Sequence, residues 1–230
     1  MCKFASFVLT KDRVFWLPDS DSHSEIIARN GLHESGSHGL NIVKVEICPT
    51  VELKKWHDYA KWKLTFDQDQ FPEWHNPIVS EKRARIALLE RAKVGFTAVY
   101  ASGCTALTEL KADAAEYVYA RGCTALTELK ADAAKTVDAS GCTALTELKA
   151  DAAKTVYASG CTALTELKAD AAKYVDARDC TALTELRADA AKYVDARGCT
   201  ALTELKADAA EYVDARGCTA LKNAKHGWIK

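Results

Sequence analysis

From Leu107 onward, small and apolar residues recur with unequal gaps that repeat: Leu107, Leu110, Ala112, Ala115, Val118, Ala120 and Cys123 are separated by 3, 2, 3, 3, 2 and 3 positions. A gap of two keeps both residues on one face of a strand, and a gap of three carries the chain round a turn. The beat returns every 19 residues, at Cys104, Cys123, Cys142, Cys161, Cys180, Cys199 and Cys218. It predicts two short strands per unit and a solenoid built from seven units. The competing fold comes from propensity, because a segment such as TALTELKADAAEYVYA is rich in alanine, leucine, glutamate and lysine. In that fold Leu107, Leu110, Ala114 and Val118 share a helical stripe and the units stack as short helical hairpins.

Before residue 95 the pattern is irregular. Lys3–Leu9 and Arg13–Leu17 read as paired strands around Lys11-Asp12, followed by a capped helix over Ser24–Asn30 that ends at Gly31. A strand over Ile42–Ile47, a short helix over Val51–Ala60 and a strand over Trp62–Phe66 come next, then an aromatic loop from Pro72 to Pro77. Ser80 to Lys93 predicts a further helix, with Ser80 as N-cap, Glu81 and Arg85 at i,i+4, and Ile86, Leu89 and Val94 along an apolar line leading into the first coil. The expected fold class is mixed α/β. A small α+β head covers 1–94 with a capping helix at about 80–93, a β-solenoid of seven 19-residue coils covers 95–221, and a C-terminal cap covers 222–230. In that cap Lys222, Lys225 and Lys230 oppose edge pairing, and Trp228 and Ile229 close the last layer.

Composition sharpens the boundary. All four prolines and four of the five tryptophans lie before residue 78, whereas seven of the nine cysteines follow residue 100. Fourteen basic and 13 acidic residues precede Val94, and 17 and 19 follow it, so the two parts differ in architecture and not in charge. With 48% hydrophobic and 27% charged residues and a net charge of −1, the chain is neither disordered nor collagenous, and it has no general pull towards nucleic acid or anionic membrane. The apolar runs near the start are too short for a bilayer span and lack a signal peptide's flanks, so a cytoplasmic location is expected. An odd number of cysteines, one per repeat, predicts packed, reduced thiols in place of disulfides or a metal framework. No cofactor is implied.

The segments Leu107-x-x-Leu110-x-Ala112-x-x-Ala115 and Ala115-x-x-Val118-x-Ala120-x-x-Cys123 both follow the L-x-x-L-x-L-x-x-N/C skeleton. VDASGCTALTEL resembles the LDVSGCTALTEL text of bacterial surface-type leucine-rich repeats, and the likeness covers residues 99–221. That resemblance implies binding and not catalysis, with each cysteine at the family's Asn/Cys turn position. A period of 19, below the usual span of about 20–29, leaves no room for a convex helix, and alanine replaces leucine at several core positions, so the coil should be thin. The opening MCKFASFVLTKDRVFWLPDSDSHSEII resembles the start of uncharacterised phage and prophage proteins, which carries no activity with it.

Comparing the repeats with one another separates two surfaces. Glu-x-Lys-x-Asp, as at Glu109, Lys111 and Asp113, recurs almost unchanged and reads as a solvated face. The other strand varies. Tyr117, Tyr119 and Arg121 stand in one unit, Thr136, Asp138 and Ser140 in the next, then Thr155, Tyr157 and Ser159. Tyr174, Asp176 and Arg178 recur as Tyr193, Asp195 and Arg197 and as Tyr212, Asp214 and Arg216. Tyrosine and arginine dominate binding hot spots, so these rows are the candidate site and another protein is the expected partner. An aspartate row between them disfavours nucleic acid, and no membrane partner is expected. Asp179 alone replaces the turn glycine, and a local irregularity is expected there.

Two other function classes compete with that reading. One is an enzyme whose head carries the chemistry, centred on Cys2 as an N-terminal nucleophile or on one of five histidines, with the solenoid only positioning it. Against it, the sequence contains no H-x-x-x-H, C-x-x-C, H-E-x-x-H, phosphate loop or nucleophile elbow, so no metal ligands or catalytic residues are assigned. The other is self-assembly through the solenoid ends.

Overall fold

The computed structural model describes residues 5–36, 39–50, 52 and 54–222. The chain divides into two compact units, one gathering Val51–His57 with Ala98–Lys230 and the other Cys2–Thr50 with Asp58–Thr97. The architecture is mixed α/β: a small α+β unit and a β-solenoid. The predicted chemistry at Cys2 and the cap residues Lys225, Trp228, Ile229 and Lys230 lie outside the described residues.

The α+β unit is organised by a four-stranded antiparallel sheet. Its strands are β1 (Ala5–Leu9), β2 (Val14–Phe15), β5 (Val43–Cys48) and β6 (Lys63–Phe66), in the order β2-β1-β5-β6. A two-residue hairpin, β3 (Ser35–Gly36) and β4 (Gly39–Leu40), precedes β5. β1 is buried along its whole length, whereas β5 alternates buried and half-buried positions and so presents one face outward. α1 (His23–Arg29) starts where the Ser22 hydroxyl accepts from the Glu25 amide, and it packs Ile26 against Val8 and Ile42.

α2 (Pro77–Val94) begins one turn earlier than the sequence suggests. Asn76 is the N-cap, its Oδ1 accepting from the Val79 amide at 3.1 Å, with Pro77 in the first turn. Ser80, the expected cap, is instead buried and bonded to His75. The expected apolar line also faces outward: Ile86 and Leu89 are each 52% exposed and Val94 63%. The buried stripe is Ser80, Ala84, Ala87, Leu88 and Arg91, whose small residues let the helix approach β1 and β2. Arg91 tolerates burial because Asp21 lies 2.7 Å away and Trp16 and Phe96 present ring faces to its guanidinium. Of the helix expected over Val51–Ala60, Val51 and Leu53 lie outside the described residues, and the described ones form only a 3₁₀ turn at Tyr59–Lys61.

The solenoid carries the two predicted strands per unit. Seven strands form one parallel sheet: β7 (Ala98–Tyr100), β9 (Tyr117–Tyr119), β11 (Thr136–Asp138), β13 (Thr155–Tyr157), β15 (Tyr174–Asp176), β17 (Tyr193–Asp195) and β19 (Tyr212–Asp214). Six form the facing sheet: β8 (Glu109–Lys111), β10 (Glu128–Lys130), β12 (Glu147–Lys149), β14 (Glu166–Lys168), β16 (Glu185–Arg187) and β18 (Glu204–Lys206). Every strand pairs with its equivalent one period away, as Leu129 with Leu110 and Val175 with Val194. The helical stack is therefore not formed, because burial of the 3-2 beat outweighs local helix propensity. Pairing narrows to Lys149↔Lys168 between β12 and β14, though both coils read LTELK there and nothing local explains it.

The interior is a set of ladders, one residue type per rung. Leu110, Leu129 and Leu167, Val118, Val137 and Val156, and the inward alanines Ala131, Ala134, Ala150 and Ala153 are buried. From Cys123 onward each repeat cysteine donates its thiol to an alanine carbonyl one coil back: Cys123 to Ala101, Cys142 to Ala120, Cys161 to Ala139, Cys180 to Ala158, Cys199 to Ala177 and Cys218 to Ala196, at 2.9–3.2 Å. None of the described cysteines is joined in a disulfide. Burial pushes the Cys161 thiol up to about 12. Threonines stitch the corner, Thr127 Oγ1 donating to the Thr108 carbonyl at 2.9 Å and Thr146 to Thr127 at 3.1 Å.

The exposed edge of β8 is closed by a segment that imitates a preceding coil. The Lys54 carbonyl accepts from the Thr108 amide at 2.9 Å and from its hydroxyl at 3.0 Å, the role Thr108 itself plays for Thr127. Lys55 bridges to Glu109 in parallel and Trp56 is 3% exposed. A parallel edge that would otherwise offer open hydrogen-bonding groups is thereby occupied.

At the glycine turns φ is positive, between 71° and 79° from Gly103 to Gly217. The irregularity expected at Asp179 is present but small: the following Cys180 amide reaches the Ala177 carbonyl at 3.4 Å, against 3.0–3.2 Å at the other repeat cysteines. Asp179 adopts φ 58° and its amide still donates to the Arg197 carbonyl at 2.7 Å. Aspartate is one of the few residues that tolerates this region, at some strain.

Candidate functional site

The variable sheet presents three columns of side chains. Parallel in-register pairing sets Tyr174, Tyr193 and Tyr212 side by side, then Asp176, Asp195 and Asp214, then Arg178, Arg197 and Arg216 in the following turn. Strand spacing near 4.8 Å is also a stacking distance for aromatic rings. Tyr174 and Tyr193 stack at 4.9 Å with 1° between planes, and Tyr193 and Tyr212 at 4.7 Å with 8°. Tyr157, on the neighbouring column, adds a tilted contact to Tyr174 at 5.5 Å.

The aspartates are not a solvent-facing acidic row as the sequence pattern suggests. Asp176 and Asp195 are 4% exposed and Asp214 2%, covered by the tyrosines on one side and the arginines on the other. Each is gripped by the arginine two residues on. Arg178 Nε and Nη2 meet the two Asp176 oxygens at 2.9 and 2.7 Å, Arg197 does the same to Asp195 at 2.9 and 2.7 Å, and Arg216 to Asp214 at 3.0 and 2.7 Å. The next coil's carboxylate adds a longer contact, Arg178 to Asp195 at 3.7 Å and Arg197 to Asp214 at 3.6 Å. Sequence reasoning could not see this burial, because neighbouring coils create it.

The electrostatics follow from these forks. The Arg216 hydrogen bonds hold Asp214 below the usual carboxylate range, and the Asp176 and Asp195 carboxylates raise Arg178 and Arg197. Burial first, and then the carboxylates, raise Tyr174 and Tyr212. The surface is thus a stack of tyrosine rings beside fixed guanidinium planes. Two long side chains per coil are ordered before any partner arrives, which lowers the entropy cost of binding.

Tyr117, Tyr119 and Arg121 lie on the same sheet, separated from this stack by the coils of Thr136 and Thr155. Tyr119 stacks at 5.1 Å on Tyr100, a partner the repeat comparison overlooked because it precedes the first full unit. Tyr117 is 37% exposed, and Arg121 has no aspartate beneath it, since Tyr119 occupies that position. Between Arg121 and Arg178 the third column carries Ser140 and Ser159, which opens a shallow notch of about 380 Å³ over the glycine turns. The twelve candidate residues therefore form two clusters on one face. Family models, curated proteins and solved structures give no match to this chain.

In the head, the acidic residues near and within α1 are engaged in ion pairs. Asp19 and Glu25 pair with Arg29, and Asp21 with Arg91. His75 stacks on Phe71 at 4.3 Å and bonds the Ser80 hydroxyl at 3.0 Å, with burial lowering its pKa. His33 and His57 are exposed. No helix among the described residues is long and apolar enough to cross a membrane.

Proposed function

We propose that the chain is a protein-binding scaffold whose partner docks on the tyrosine and arginine columns of Tyr174–Arg178, Tyr193–Arg197 and Tyr212–Arg216, with Tyr117, Tyr119 and Arg121 as a second contact. The observation that carries this reading is the buried aspartate column, which fixes each arginine and leaves stiff aromatic and guanidinium area facing outward. The leucine-rich-repeat likeness of residues 99–221 points the same way. A ladder of buried cysteines outside any disulfide suits a reducing compartment, so we place the scaffold in the cytoplasm. The likeness of the opening residues to phage and prophage proteins makes it an accessory factor of such a genome.

The test is capture from native lysate by the intact chain and by a variant with Tyr174, Tyr193 and Tyr212 all changed to alanine, with circular dichroism confirming the fold of each. Scaffold function requires a partner held by the first and lost by the second. Retention by the variant moves binding off this face.

A further inference from the structure

The outward face of the head sheet carries a donor cluster that no sequence spacing announces. His23 opens α1, Glu46 sits on β5 opposite Thr65 of β6, and Asp67 directly follows β6. One ligand atom from each lies within 4.8 Å of the others. His23 Nδ1 is 3.2 Å from Asp67 Oδ2, and His23 Nε2 is 3.2 Å from the Val45 carbonyl oxygen.

The Val45 carbonyl can only accept, so Nε2 must carry the ring proton. Nδ1 then faces the Asp67 carboxylate with the Glu46 carboxylate nearby, so the three donors converge on one point that suits a positive charge, either a proton on Nδ1 or a bound cation. Lys44, two residues from Glu46 on the same strand, is ion-paired to Glu34 at 2.8 Å. His23 is only 10% exposed at its side chain, whereas Asp67 is 56% exposed, so the cluster is walled on one side and open on the other.

We propose that His23 Nδ1 and the carboxylates of Glu46 and Asp67 bind a divalent first-row transition-metal ion, with Zn²⁺ the best match. One imidazole and two carboxylates carry a charge of −2 that such an ion neutralises, and imidazole favours zinc over magnesium or calcium. A tetrahedral ion about 2.0–2.2 Å from each donor needs donors roughly 3.4 Å apart. The His23–Asp67 pair already meets that spacing, and rotation of the Glu46 side chain brings in the third. The open side leaves the fourth position to water. The Val45 carbonyl is the outer partner that fixes the tautomer and aim of the histidine.

Calorimetric titration of the full, untagged chain with Zn²⁺ tests the site, alongside His23→Ala, Asp67→Asn and, as a thiol control, Cys48→Ser. One equivalent should bind, with affinity reduced on the order of 100-fold or more in the first two variants and unchanged in the third. Asp67 is exposed, so Asp67→Asn retains the fold even if His23→Ala does not. Co²⁺ bound in place of Zn²⁺ should show ligand-field bands without a thiolate charge-transfer band. Absence of saturable binding, binding unaltered in Asp67→Asn, or a thiolate band would each overturn the proposal and leave the cluster as a histidinium ion pair.

Discussion

The two sheets of the solenoid use the same device, an acidic residue paired with a basic residue two positions on, and obtain different results from it. On the invariant sheet the pairs are Glu109 with Lys111 at 2.6 Å, Glu147 with Lys149 at 2.7 Å and Glu204 with Lys206 at 2.7 Å. Glu147 and Lys149 are 44% and 50% exposed, so water and salt screen them and they contribute little. On the variable sheet the carboxylates of Asp176, Asp195 and Asp214 are almost fully covered and each is held by a two-pronged guanidinium. Lysine is a mobile point charge, whereas arginine has a planar fork that tyrosine rings can flank. Identical spacing therefore yields a loosely held solvated face on one side and an ordered face on the other.

Core substitutions should ignore that distinction and have the largest effect. Leu129→Ala, beneath the invariant sheet, should cost about 3 kcal/mol by cavity formation. Urea denaturation reads it as a lower midpoint, and an unchanged midpoint would place Leu129 outside the core. The comparison itself is tested next. Arg197→Ala leaves Asp195 buried without its main partner and should lower the urea midpoint distinctly. Lys149→Ala should cost less than about 0.5 kcal/mol. Equal costs would erase the difference between the sheets.

Much of the solenoid was legible because its period is visible in one chain. Leu107, Leu110, Ala112, Ala115, Val118, Ala120 and Cys123 announce their own facing, and a thiol at a turn has few partners other than a neighbouring carbonyl. The aspartates were misplaced because strand alternation puts Asp176 outward, and only the adjoining Tyr and Arg columns bury it. Lys54 to Trp56 read as part of a helix because nothing local shows that Thr108 and Glu109 need an edge partner. In α2 the apolar residues Ile86 and Leu89 drew attention, but Ala84 and Ala87 set the packed face by being small. His23, Glu46 and Asp67 lie far apart in sequence and only the sheet brings them together.

Acid should reveal the same contrast through protons. Asp214 has a depressed folded pKa, so its contribution is complete above the unfolded value of about 3.9 and is lost as pH falls through the folded value. Asp214→Asn should flatten the fall in melting temperature below about pH 4, and an unaltered slope would mean that Arg216 does not hold the carboxylate. A modest gain is expected at the one turn that departs from glycine. Asp179→Gly relieves a left-handed aspartate and should stabilise by about 0.5–1 kcal/mol, against which a loss of stability would count.

The claim that one sheet recognises a partner and the other only faces water is tested most directly by a matched capture from one lysate. Three chains are compared: wild type, the triple tyrosine variant at Tyr174, Tyr193 and Tyr212, and a triple variant with Lys149, Lys168 and Lys206 changed to alanine. Mass spectrometry should find the same partner on the wild type and on the lysine variant, and none on the tyrosine variant. A partner that leaves with the lysines and stays without the tyrosines would contradict the account.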